Sequence, residues 1–380
     1  MEADIIILGA GTAGCALANR LSADPSISVL VLEAGEDRSD DARMYTPALA
    51  REMLDNPDFD WGFQSEPEPG LLPLPVQHEE DHGAADSAPG DGVYAGGNLV
   101  AEARRGRRMK QPRGKVVGGS SAINSFALIY PSAVGMDAWA ELGNVGWDWE
   151  GTKDYFRKFS TLVPPHDETV VHRLNLAHNF SYPAVAEYEG PIQATFPLDV
   201  SPLHTAWLNA FRSLGLENLE DPLEGHAVGG GITANHIDGK RRERSHAGIA
   251  YLRPVQSREN ITVIIGALVQ RILFNRGGQG ELVEARSVTY ERNGQSYEVK
   301  ARREVILAAG AFGSPQILEL SGIGDSNRLT QHGIDVVYHN SAVGENLQDH
   351  IRAGLSYEAA PHLTNTLFKG RSREALRGQA

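Results

Sequence analysis

The first thirty-odd residues constrain the fold most tightly. Asp4-Ile5-Ile6-Ile7-Leu8 reads as a short buried strand. It leads into Gly9-Ala10-Gly11-Thr12-Ala13-Gly14, a G-x-G-x-x-G, and then into a helical stretch ending near Leu21. Residues 28–32 (SVLVL) read as a second buried strand, with Glu33 directly after it. A Gly-rich hexamer alone says little. A strand before it, a helix after it and an acid roughly 20 residues further on say much more. Gly9 permits the tight turn. Gly11, lacking a side chain, lets a diphosphate reach the N–H groups at the helix start, where the helix dipole favours anions. Gly14 lets helix and strand pack closely. Glu33 can accept hydrogen bonds from a ribose diol, and its charge would repel a 2′-phosphate, which disfavours NADP. The segment reads as the β-α-β start of a doubly wound, dinucleotide-binding α/β fold. The motif alone does not separate FAD from NAD.

The chain has 380 residues, enough for two domains or one large α/β unit, and 41 % of them are hydrophobic. A net charge of −14 argues against nucleic acid or an anionic membrane as the main partner. Cys15 stands alone, so an internal disulfide or a Cys-based metal site is excluded, and it is expected to serve as a small buried hydrophobe in the first helix. No apolar run reaches membrane-spanning length. Met1-Glu2-Ala3-Asp4 enters the first strand without a signal-peptide pattern, so a cytoplasmic location is expected. On the same ground the sequons at Asn179 and Asn260 read as coincidence.

Further along, residues 66–106 hold five prolines, a Gly/Ala/Ser-rich run and the acidic cluster Glu79-Glu80-Asp81, and read as a loop or disordered insertion. Residues 151–160 read as helix, and 161–225 as irregular with Pro-interrupted short strands. Strand patterns resume at 261–266, 268–274, 282–291 and 296–300, with turn signals at Gly277-Gly278 and Asn293-Gly294. A separate buried strand, 304–308, is followed by Gly310 and a helix to about Leu320. A β-meander feeding a buried strand and Ala309-Gly310 is how two-dinucleotide-fold flavoproteins are built, which favours FAD. His78-Glu79-Glu80-Asp81-His82 matches H-E-x-x-H in letters only. Pro73, Pro75 and Gly83 flank it and it has no apolar face, so a solvated acidic loop is expected and no metal site.

Three stretches carry a family resemblance. Gly114-Lys115-Val116-Val117-Gly118-Gly119-Ser120-Ser121-Ala122-Ile123-Asn124 resembles the first signature of the glucose–methanol–choline (GMC) flavin oxidoreductases. Leu128 departs from that pattern, which usually has an aromatic residue or Ala there. Gly310 to Gly324 (GAFGSPQILELSGIG) resembles the second signature, and Gly344-Glu345-Asn346-Leu347-Gln348-Asp349-His350 the family's next motif. The resemblance covers about residues 3–70 and 106–358, and residues 124–139 look most like fungal members.

The resemblance implies non-covalent FAD, since Arg113 and Gly114 occupy the region where some relatives attach it. It implies that Thr12, Ala13, Glu33 and Ala34 hold the AMP and diphosphate half. Ser120 and Asn124, Ser125, Phe126 and Ala127 would line the flavin ring, and the Val269 backbone would meet the adenine. By the same resemblance, 1–65, 107–150 and 226–324 would build the FAD-binding domain. Residues 151–225 would form part of the substrate domain, and 325–380 the start of a C-terminal substrate region. The implied reaction is oxidation of a CH–OH group in a small-molecule alcohol; the oligomeric state is left open. Family members continue beyond the last motif and carry the catalytic His there, so no catalytic residue is named in this chain. His246, His332 and His350 are the weak substitutes. Residues 72–106 and 359–380 have no family counterpart and are read as a retained intron and a premature end. Splice signals in the genomic sequence would test that reading.

Overall fold

The computed structural model describes residues 1–67, 108–163, 165, 167–174, 176, 189–197, 203–216, 225–226, 228–275 and 283–349. The H-E-x-x-H letters, His350, Asn179 and the 359–380 tail lie outside the described residues.

Six strands form one sheet. They are β1 (Glu2–Leu8), β2 (Val29–Leu32), β3 (Ile261–Ile264), β4 (Leu268–Asn275), β5 (Glu284–Arg292) and β6 (Gln295–Leu307). Their order is β3-β2-β1-β6-β5-β4. The first four lie parallel, while β5 runs antiparallel to both β6 and β4. The side-chain period of two explains the unbroken apolar run of β1. Ile5 and Ile7 enter one buried cluster with Val29, Val31, Cys15 and Ala18. Ile6 and Leu8 enter the opposite one with Leu30, Leu32, Val288 and Ile317. Helix α1 (Thr12–Leu21) covers the first face and packs on a single π-helical turn, Gly248–Leu252.

The β-α-β start is as the sequence indicated. The expected strands 296–300 and 304–308 are instead one strand of 13 residues. Its first part pairs antiparallel with β5 and its second part parallel with β1, where Leu8 faces Leu307. Lys300-Ala301-Arg302-Arg303 breaks the apolar alternation, and the register with β1 shifts there, from Ala3 opposite Ala301 to Ile5 opposite Glu304, but the strand runs on through it, where two strands were expected. The 161–225 stretch also needs correction. It holds helices Glu168–Arg173 and Leu203–Ser213, and Ser160–Val163 pairs in parallel with Ile192–Thr195. The helix at Glu168–Arg173 and the strand pair, with Leu128 and Ala234, build a separate small core that also holds Val170, Leu174, Leu176, Ala194 and Phe196. The helix expected at 151–160 runs Trp149–Arg157, capped by the Asp148 side chain on Gly151 N–H.

Residues 68–107, which include nearly all of the expected insertion, are not described; the stretches flanking them meet. Phe63–Gln64 pairs antiparallel with Lys110–Gln111. The Asn260 side-chain amide donates to the carbonyls of Ser22, Asp24 and Ile27 and closes the loop between α1 and β2.

Candidate functional site

The C-terminal ends of β1, β2 and β6 open onto a cleft of about 700 Å³, the place where parallel α/β sheets take their ligands. Glycines keep its floor clear. Gly9 has φ +105°, and a Cβ there would lie 2.6 Å from the Ala308 carbonyl oxygen. A Cβ on Gly14 would collide with the Gly9 carbonyl, so α1 can approach β1 only through a glycine. A Cβ on Gly11 would find its nearest neighbours at 3.9 and 4.0 Å. Gly11 therefore leaves space in a cleft that it lines.

The first turn of α1 carries no side-chain cap and no acid. Its N–H groups are left for a ligand in the sense that helix termini provide. A second helix, α3 (Gly310–Leu320), also starts at the cleft with no side-chain cap and no acid in its first turn; the short helix α2 (Ser120–Ile123) lies between them in sequence. Two uncapped N-termini give one concavity a positive bias.

Glu33 is 6 % exposed. One carboxylate oxygen accepts from Ala10 N–H at 2.7 Å and the other from Gly35 N–H at 2.8 Å. Its backbone N–H donates to the Ile264 carbonyl at the end of β3 at 2.9 Å, and its carbonyl accepts from Ala267 N–H at 2.8 Å. Burial raises its pKa, against the lowering effect of the two amides and of Lys115. Glu33 thus fixes the Gly-rich turn as well as presenting acceptors to the cleft, since each carboxylate oxygen retains a lone pair.

Of the residues singled out in the sequence, Gly9, Gly11, Thr12, Ala13, Glu33, Ala34, Ser120 and Val269 line the cleft. Gly14 packs beneath it. Asn124, Ser125, Phe126 and Ala127 do not line it. They leave its floor through α2, with Asn124, Ser125 and Ala127 exposed and Phe126 half-buried. Arg244 stands behind this turn. It donates from Nη1 to the Asn124 carbonyl at 2.8 Å and to its Oδ1 at 2.9 Å.

Sequence reasoning missed Trp61, Phe63, Arg113 and Phe312, which close one end of the cleft. Trp61 stacks on Phe63 at 5.7 Å and Phe63 meets Phe312 at 5.3 Å. Arg113 lies 5.0 Å over Phe312, and Lys115 lies 5.0 Å over Trp61. For Phe312 the available signal was Ala308-Ala309-Gly310, because it repeats the strand–glycine–helix grammar of residues 8–12.

No His among the described residues lines the cleft. His246 is 2 % exposed with Nδ1 against Gly118, and burial lowers its pKa to about 4. His332 ends the helix Ser326–Gln331 away from the cleft. Among the described residues there is no group of three or more His, Cys, Asp or Glu side chains able to hold a metal, and no helix long and apolar enough to cross a membrane.

The profile of the GMC oxidoreductases matches residues 3–352. The chain belongs to the GMC oxidoreductase family. This GMC chain is 33 % identical over 366 residues to a GMC oxidoreductase family protein of Malassezia sympodialis, covering 93 % of the chain and 52 % of that protein. It is 34 % identical over 351 residues to an oxygen-dependent choline dehydrogenase of Rhizobium etli, covering 92 % and 53 %. Among solved structures it resembles an FAD-dependent oxidoreductase from Chaetomium thermophilum, with TM-score 0.74, 30 % identity and coverage of 92 % and 52 %. It also resembles a fungal aryl-alcohol oxidase, with TM-score 0.70 and 26 % identity over 92 % of this chain and 52 % of that one. The GMC chain spans about half the length of these relatives.

Proposed function

We propose that this chain holds FAD non-covalently along the cleft and that the protein oxidises the CH–OH group of a small-molecule alcohol. The observation that carries the reading is the empty-sided glycine floor at an uncapped helix N-terminus, with Glu33 beside it. The cleft volume of about 700 Å³ suits a cofactor-sized ligand. Thr12 and Ala13 N–H groups hold the diphosphate; Glu33 and Ala34 hold the adenosine sugar; the Val269 backbone meets the adenine. Ser120 at the cleft, and the turn Asn124 to Ala127 that α2 carries out of it, would take the flavin ring, which when bound supplies the acceptor for hydride. The small side chains of Ser120, Ser125 and Ala127 would allow a flat ring to lie against main chain. Gly114 and Gly119 extend the same floor.

A second reading is a flavin-binding chain without turnover. It is favoured by the lack of any His lining the cleft among the described residues, because alcohol oxidation needs a base for the hydroxyl proton. The discriminating experiment has two steps. FAD added to purified protein should give a bound oxidised-flavin spectrum that survives desalting, whereas NAD should not compete. A panel of primary alcohols with a dye acceptor then separates turnover from binding alone. Protein that is folded yet takes up no flavin overturns both readings.

A further inference from the structure

Arg244 heads the fully buried side chains by size and is 1 % exposed. Among the described residues no carboxylate pairs with it. Nη1 is spent on Asn124, and the guanidinium carbon sits 3.8 Å over the Phe126 ring. Nε and Nη2, the pair that normally grips a carboxylate side-on, have no partner. Burial lowers its pKa to about 10, which leaves it charged at neutral pH. His236 and His246 are each held near pKa 4, by burial first and by Arg244 second, so neither shares the charge.

A buried, uncompensated cation is costly. Phe126 adds strain, with φ +70° at a non-glycine residue. Both costs meet at the turn that the proposed function assigns to the flavin ring. Arg244 fixes the two ends of that turn, Asn124 by hydrogen bonds and Phe126 by stacking. His236 N–H adds a bond to the Phe126 carbonyl at 2.8 Å.

We propose that Arg244 is a positioning residue for the flavin face: it holds the Asn124–Ala127 turn in shape and places an unneutralised positive charge behind it. This rests on the FAD reading above. A positive charge held behind that turn would favour a reduced, anionic ring over the neutral oxidised form and so raise the potential of the bound flavin.

The test is the two-electron midpoint potential of bound FAD in the wild type, Arg244→Met and Arg244→Lys. Loss of the charge in Arg244→Met should cost about tenfold in preference for the reduced ring, a fall of about 30 mV. Arg244→Lys keeps the charge and should keep most of the potential, while losing the two-point hold on Asn124 and binding FAD more weakly. Arg244→Gln is the neutral variant to use if Arg244→Met does not fold. Equal potentials in the charged and neutral variants overturn the proposal while leaving the FAD site standing. A wild-type chain that takes up no flavin overturns the FAD reading and this proposal together.

Discussion

Gly11 and Gly119 lie face to face: a Cβ on Gly119 would sit 2.7 Å from the Gly11 Cα. The Gly-rich turn and the Gly-Gly-Ser-Ser stretch, more than 100 residues apart, thus meet with no side chain between them. Gly118 N–H donates to the Ala10 carbonyl at 2.8 Å and locks the approach. A single layer of backbone forms the floor of the cleft.

That floor predicts a contrast between two neighbouring glycines. Gly11 has φ −78° and free space on its open side, so Gly11→Ala should cost stability by about 1 kcal/mol or less. The added methyl enters the ligand's path, and FAD affinity should fall tenfold or more, about 1.4 kcal/mol. In Gly14→Ala the methyl strikes the Gly9 carbonyl inside the packed layer. That variant should lose roughly 1–3 kcal/mol of stability. Urea melts and FAD titrations of both variants check this; equal loss of stability at the two sites would contradict the assignment of Gly11 to ligand and Gly14 to packing.

His246 should set part of the acid limb of stability. Its folded pKa of about 4 lies below the ordinary 6.5. The folded state therefore binds fewer protons, and the stabilisation is full above pH 6.5 and lost as pH falls toward 4. Between pH 7 and pH 5 the loss is about 2 kcal/mol for a group with these values. Nδ1 has no hydrogen-bond partner to sacrifice. His246→Leu should flatten the decline between pH 7 and pH 5 in urea midpoints; an unchanged slope would show that the imidazole titrates freely.

Cys15 should be silent toward thiol reagents in the native state. It is 0 % exposed, donates to the Ala10 carbonyl at 3.1 Å and has its pKa pushed up to about 12 by burial. The thiolate is the reactive form, so alkylation should proceed at the rate of unfolding. Labelling followed by mass spectrometry with and without denaturant reads this directly.

The parts of the fold that were legible in the sequence are those where local chemistry and tertiary need coincide. Ile5 to Leu8 are apolar because both faces of β1 are covered, and Gly9, Gly11 and Gly14 stand where backbone meets backbone. Lys300, Arg302 and Arg303 read as a break because they are charged; the register with β1 does shift there, but pairing on both sides of the shift keeps one strand. Leu203–Ser213 went unseen as a helix because most of its face is exposed and the prolines before it dominate the pattern. Trp61 and Phe63 reach the cleft only through the pairing with Lys110–Gln111 across an undescribed segment, a contact with no local signature. Arg244 was invisible for a related reason. It lies in a run of arginines, Arg241-Arg242-Glu243-Arg244, whose other members are at the surface.

The Asp4 carboxylate accepts from Ser28 N–H at 2.8 Å and from Ser28 Oγ at 2.9 Å, and its other oxygen accepts from Arg302 Nε at 2.9 Å. One side chain thereby ties β1 to β6 and to the residue entering β2. Hydrogen bonding from Arg302, then from Ser28, holds the carboxyl well below the usual carboxylate range. A depressed folded pKa means that the contribution is fully present above the unfolded value near 3.8 and fades as pH falls below it. Asp4→Asn should lower Tm at pH 7, because the amide nitrogen cannot accept and faces another donor. The gap between wild type and variant should narrow once the solution is more acidic than pH 3.8. A Tm difference independent of pH would mean that Asp4 acts through shape alone and that its charge does not join the strands.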